Sequence, residues 1–233
     1  MNKGILYLIP VPIHSEEDFN IKLIPPYIIE IINDLKFFAV ENIRTSRRFI
    51  KKINPNFDID NTNFYTVDKR GGKEIIKKLV EYLLKGNDVG VMSESGCPGI
   101  ADPGQEICEL AHKHQIAIKP LIGPSSIILA LMASGLNGQE FKFHGYLPIE
   151  QKKRIKEINI IQKKSGAHIF IETPYRNQKV LEDLIKQLKP QSKKISIAID
   201  ITGKNEKIIT KSVYELSKSK IILVKKPTIF IFE

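Results

Sequence analysis

Short apolar runs rich in Ile, Val and Phe alternate along this chain with stretches whose apolar residues recur every three or four positions. That alternation predicts strands followed by helices in a parallel α/β arrangement. In the first half the pattern places strands at 5–9, 37–40, 64–67, 88–92 and 116–121, and helices at 26–35, 45–53, 73–84 and 105–114. The stretch 54–63, dense in Asn, Asp and Pro, is expected to be an irregular loop. An apolar helix at 125–134 follows, ended by Gly135 as a left-handed cap. The pattern then restarts, with strands at 141–145, 168–172, 195–200, 221–224 and 228–232 and helices at 151–164 and 177–188. Two α/β domains are expected, 1–121 and 122–233, with a deep cleft between them.

Composition adds limits. With 42% hydrophobic and 27% charged residues in 233, the chain is neither collagen-like, coiled-coil nor disordered. A formal charge of +10 favours anionic partners, although a Lys-rich solvated surface accounts for the same excess. Two cysteines, Cys97 and Cys108, make neither a zinc cluster nor a disulfide framework, which points to a reducing, cytoplasmic setting. Pro10 and Pro12 interrupt the first apolar run and acidic residues follow it, so no signal segment is expected. The run 127–133 is far shorter than the ~20 residues of a spanning helix, and no membrane association is expected.

Ligands of open parallel sheets bind beyond the carboxyl ends of the strands, which directs attention to the loops that follow them. Neither the G-x-G-x-x-G nor the G-x-x-x-x-G-K-[ST] phosphate loop is present. His112 and His114, two apart on a helix, point to different faces, so no shared metal is expected. The most specific feature is SESGCPGIADPG at 93–104, small residues and prolines that let a ligand lie against backbone N–H and C=O groups. Asp102 before Pro103 reads as the N-cap of the next helix. Cys97 has no basic neighbour in sequence and reads as a packing residue before a nucleophile.

Several ordered motifs together resemble the tetrapyrrole methylase superfamily, and within it the ribosomal RNA small subunit methyltransferase I branch, cytidine 2′-O-methyltransferases. SESGCPGIADPG is similar to that branch's S-D-A-G-x-P-x-I-x-D-P-G, with Glu94 for the Asp. Ile122-Gly123-Pro124-Ser125-Ser126 through Leu136 resembles P-G-P-S-A-x-x-x-A-L-x-x-S-G-L, Phe170 to Arg176 resembles F-Y-E-S-x-x-R, and Leu6 to Ile13 resembles L-Y-x-x-P-T-P-I. The chain departs from the branch at His14-Ser15, at Asn42 where an Asp is usual, and at Lys226-Pro227 where a Gly-Glu is usual. Lys204 stands where the branch's R-E-L-T-K has its lysine, without the Arg-Glu pair. The chain therefore reads as a diverged short member.

The resemblance implies a methyltransferase that holds S-adenosylmethionine in the cleft between the domains. Its cofactor contacts would be Pro10, Val11, Pro12, Ser93, Glu94, Ser95, Gly96, Pro98, Ser125, Ser126 and Glu172. Glu41, Glu94 and Glu172 are candidate bases, with Arg44 and Arg176 able to orient a phosphate, and each Glu reads equally well as an ion-pair partner. The implied partners are ribosomal RNA or the small ribosomal subunit, and a second copy in a homodimer. Two other readings stay open: a methylase of a tetrapyrrole or another small anionic substrate, and a non-catalytic RNA-binding relative. The missing G-x-G-x-G-D after the first strand favours RNA over pigment.

Overall fold

The computed structural model describes residues 2–13, 20–67, 72–189, 192–219 and 221–233; His14 and Ser15 lie outside them. Among the described residues no helix is long and apolar enough to cross a membrane. The chain divides into two compact units, Met1–Ser125 and Ser126–Glu233.

The first unit is a five-stranded sheet of β1 (Ile5–Leu8), β2 (Phe37–Val40), β3 (Asn63–Thr66), β4 (Val89–Met92) and β5 (Ala117–Pro120). Its order is β3-β2-β4-β1-β5 and every pairing is parallel. A parallel sheet is covered on both faces, and alternate residues of each strand feed the two layers. On one face Phe38, Val40 and Met92 pack with α1 (Pro26–Asp34) and α2 (Ile43–Ile53) through Ile28, Ile32, Phe49 and Ile50. On the other, Leu6, Ala39, Val89 and Val91 pack with α3 (Gly72–Leu84) and α4 (Gln105–Lys113) through Ile76, Leu79, Ile107 and Ala111. Phe38, fully buried, stacks on Phe64 at 5.2 Å; burying such a ring stabilises the fold by roughly 1.5–3 kcal/mol.

The second unit opens with α5 (Ser126–Ser134), followed by β6 (Phe141–Phe143), α6 (Gln151–Ile161), β7 (Ala167–Glu172), α7 (Asn177–Gln187), β8 (Lys194–Ile199), β9 (Lys207–Ser212), α8 (Val213–Lys218) and β10 (Thr228–Phe232). Its sheet runs β6-β7-β10-β8-β9, and only β6 and β7 pair in parallel. This unit is therefore mixed, not parallel as the alternation predicts. Its core gathers Phe170, Phe230 and Phe232 with Ile158, Leu181 and Leu184.

Two further expectations are corrected. The apolar run 221–224 is not a strand: only Leu223 is buried, while Ile222 and Val224 face solvent. Side-chain amides satisfy its backbone where a ladder would, Leu223 N–H donating to Gln178 Oε1 and Asn177 Nδ2 donating to the Val224 carbonyl. The edge strand is β9 instead, whose half-polar KIITKS lacks the dense apolar signal. It leads into α8 through a capping box, Ser212 and Glu215, an S-x-x-E signature legible in the sequence. Asp102 does not cap α4; Gly104 holds that position at φ 142°. The chain folds back before it, Gly99 N–H donating to the Pro103 carbonyl, and a side chain at Gly104 would meet Gly99 N at 2.9 Å. Gly135 does take the left-handed conformation, φ 66°, after α5.

Candidate active site

In the first unit, β1 and β4 are neighbours, yet the chain leaving β1 goes to α1 on one face and the chain leaving β4 goes to α4 on the other. Loops that part to opposite faces leave room at the carboxyl edge, where open α/β sheets take their ligands. The loops there are held together by main chain. Val11 N–H donates to the Gly96 carbonyl at 2.9 Å and Gly96 N–H returns a bond to the Val11 carbonyl at 3.1 Å. Ser95 Oγ donates to the Ile13 carbonyl, and the Cys97 thiol reaches the Pro124 carbonyl at 3.5 Å. Gly123 lies so close to Pro10 that a Cβ there would fall 2.3 Å from the Pro10 Cβ. Pro10, Val11, Pro12, Ser93, Glu94, Ser95, Gly96, Pro98 and Ser125 thus all lie on these joined loops of one unit. Ser93 is buried and bonds the Ser95 carbonyl, which fixes the turn. Burial pushes the Cys97 thiol above its ordinary value, so it stays protonated.

The loop after β2 joins the cluster. Glu41 Oε2 accepts from Glu94 N–H at 3.1 Å. Thr45 Oγ1 lies 3.1 Å from the Asn42 carbonyl and 3.5 Å from Glu94 Oε1. Asn42 is the N-cap of α2, its side-chain oxygen accepting from the N–H groups of Arg44 and Thr45. Asn and Asp cap equally well, so Asn42 fills a position that an Asp would also fill. Arg44, Arg47, Arg48, Lys51 and Lys52 follow on α2, a strongly basic helix whose Phe49, Ile50 and Ile53 face the core.

In the second unit, Ser126 opens α5 and Glu172 ends β7. Glu172 is 3% exposed. Its Oε1 accepts from the Thr173 N–H and hydroxyl, and its Oε2 lies 3.0 Å from Arg176 Nη2. That ion pair is not an aligned hydrogen bond, because Nη2 aims its protons at the Leu147 and Pro148 carbonyls.

The reading of sequence alone missed Thr45, which meets Glu94 from 49 residues away, and Tyr27, whose hydroxyl accepts from Ile122 N–H across 95 residues. Neither contact has a local signature. The Ser95 to Ile13 bond is equally non-local.

Residues 6–217 match the family described as Tetrapyrrole (Corrin/Porphyrin) Methylases. The ribosomal RNA small subunit methyltransferase I of Buchnera aphidicola subsp. Acyrthosiphon pisum is 31% identical over 205 residues, which cover 88% of this chain and 69% of that protein. The protein of the same description from Halalkalibacterium halodurans is 29% identical, over 89% of this chain and 68% of its own length. Among solved structures, the fold is similar to that of uroporphyrin-III C-methyl transferase from Thermus thermophilus complexed with S-adenyl homocysteine. The TM-score is 0.55, with 15% identity over 98% of this chain and 97% of the other. Since the match runs through both units and takes in every joined loop of the first, this chain belongs to the tetrapyrrole methylase family and is a methyltransferase.

Proposed function

We propose that the protein is an S-adenosylmethionine-dependent methyltransferase that 2′-O-methylates a ribose of small-subunit ribosomal RNA. The observation that carries the reading is the main-chain-built cluster at the carboxyl edge of the first sheet, where Val11 and Gly96 exchange two hydrogen bonds and Gly123 packs on Pro10. Such loops fit a sulfonium nucleoside: small residues admit an adenosyl group to the backbone, and carbonyl oxygens and carboxylates favour a cation. Pro10, Val11, Pro12, Ser93, Glu94, Ser95, Gly96, Pro98, Ser125 and Ser126 are the proposed contacts. When bound, the cofactor supplies an electrophilic methyl group.

The chain's own part is to align the acceptor and to take a proton. Methyl transfer is an in-line displacement, so holding the acceptor oxygen at near-attack distance supplies much of the rate. Glu41 is assigned the proton from the ribose hydroxyl, with Glu94 N–H donating to its Oε2 and so holding the carboxylate in place. Arg44, exposed on the first turn of α2, is assigned to a substrate phosphate. Glu172, with both oxygens engaged by Thr173 and Arg176, is assigned a positioning role in the second unit.

The name shared by the relatives and the net charge of +10 support RNA as substrate. A homodimer is supported by α5, where Ile128 and Met132 are 46% and 75% exposed beside buried Ile127 and Leu131. The free cysteines Cys97 and Cys108 suit the reducing cytoplasm.

Mass mapping of ribosomal RNA from cells with and without the gene, paired with calorimetry against S-adenosylmethionine, tests the reading. It predicts one ribose methylation that disappears with the gene and saturable cofactor binding. Cofactor binding with an unchanged ribosomal RNA map would move the substrate to a tetrapyrrole or another small anion, and no cofactor binding would leave a non-catalytic RNA-binding relative.

A further inference from the structure

Tyr175 is 87% exposed, the highest value of any large apolar or aromatic side chain among the described residues. A ring held that far out of the core gives the fold little burial energy and leaves both its faces open to a partner. The turn that carries it is rigid. Pro174 precedes it, Arg176 and Asn177 N–H both donate to the Thr173 carbonyl, and Glu172 binds both ends of the turn.

The neighbouring loop is fixed to this turn. Ile171 N–H donates to the Gly145 carbonyl, and Arg176 Nη2 donates to the Leu147 carbonyl at 2.8 Å. From the other side buried Arg154 donates to the Pro148 and Ile149 carbonyls while pairing with Asp183 at 2.7 Å. Two arginines thus clamp a loop that shows Tyr146, 58% exposed, and Ile149, 81% exposed. Asn177 also binds the carbonyls of Val224 and Lys226, which brings exposed Lys225 to the same edge of the sheet. The β-ladder register agrees, since Thr228 lies opposite both Glu172 and Ile199.

Rigid exposed aromatics beside lysines are what unpaired nucleic acid binds: bases stack on the rings and phosphates meet the cations. We propose that this edge of the second unit, with Tyr175 at its centre and Tyr146 on the loop fixed to its turn, is a stacking platform for an unpaired segment of the substrate RNA. The inference rests on the RNA reading above and adds to it where a base is gripped. Charge complementarity selects RNA over an apolar protein partner: exposed Lys152 follows the clamped loop and exposed Lys225 lies between the two carbonyls that Asn177 holds, while Lys226 lies 3.8 Å from Asp200 and the acidic Glu150 is paired with Lys153 at 2.9 Å.

The test measures the affinity of the full-length protein for a labelled single-stranded RNA 20-mer and for the same 20-mer in a duplex. Tyr175→Ala should raise Kd for the single strand about tenfold, consistent with the loss of one stacked base, and leave the duplex within about twofold. Tyr175→Phe, which keeps the ring, should stay near wild type, and S-adenosylmethionine affinity should not move in either variant. Equal single-strand affinity for Tyr175→Ala and wild type would overturn the platform, as would equal losses in Ala and Phe. A wild-type protein that fails to bind the single strand overturns it too, and so does Tyr175→Ala releasing monomers while RNA affinity holds. The RNA-substrate reading fails separately, when wild-type protein binds the strand and the cofactor yet leaves small-subunit RNA unmethylated.

Discussion

At the scale of single residues, close approach and capping dominate. Gly123 has no room for a side chain, because Pro10 occupies the space. Gly123→Ala should push the loop after β5 off the loop after β1 and weaken S-adenosylmethionine binding at least tenfold, read by calorimetry, while circular dichroism stays native. The proposed base gives a second prediction: Glu41→Gln should lower kcat by about 10²-fold or more with cofactor affinity preserved, and unchanged turnover would remove the assignment. Both residues were visible in the sequence as members of strand-following loops. What made them a site, the Glu94 N–H on Glu41 and the ring of Pro10 against Gly123, joins positions 53 and 113 residues apart, and no local pattern carries that information.

At the scale of elements, α2 shows how a departure from a family motif leaves a helix cap intact. Its cap needs only an oxygen that accepts from the N–H groups of Arg44 and Thr45, and Asn42 supplies one. Asn42→Asp should therefore hold or slightly raise stability, since a carboxylate also suits the helix N-terminus. Asn42→Ala should cost about 1 kcal/mol in a urea titration. The elements that the sequence misplaced fail for a related reason. Residues 221–224 look like a strand because they are apolar, but Gln178 and Asn177 take their backbone groups. β9 is a strand because β8 pairs with it along six residues, although its own sequence is half polar.

At the scale of the whole molecule, buried polar groups set the response to conditions. Arg154 and Asp183, 2% exposed each, form an ion pair inside the second unit. Removing one partner strands a charge, so Asp183→Ala should destabilise that unit by about 3–5 kcal/mol in denaturant unfolding. The histidines give a pH dependence. His144 Nε2 and His168 Nδ1 lie 3.0 Å apart against Phe170 and Phe232, and burial lowers both, His144 to about 4. An unfolded chain titrates its histidines near 6.5, so between about pH 6.5 and 4 it binds protons that the folded protein refuses. Stability should be insensitive to this pair above about pH 7 and fall on acidification, by on the order of 1–2 kcal/mol once the partial exposure of His144 is discounted. Urea midpoints at pH 7.5 and 5 should show that drop, and His144→Asn should shrink it.

The sequence by itself determined the alternation of strands and helices, the composition of the loops at 93–104 and 122–126, and the family to which they belong, because periodicity and small-residue turns are local properties of the chain. Tertiary structure alone decided the strand order β3-β2-β4-β1-β5, the mixed pairing of the second sheet and the hydrogen bonds that join Val11 to Gly96 and Glu41 to Glu94. Those depend on which distant segments share a hydrophobic layer and satisfy each other's backbone groups, and that choice is made only when the whole unit closes around its core.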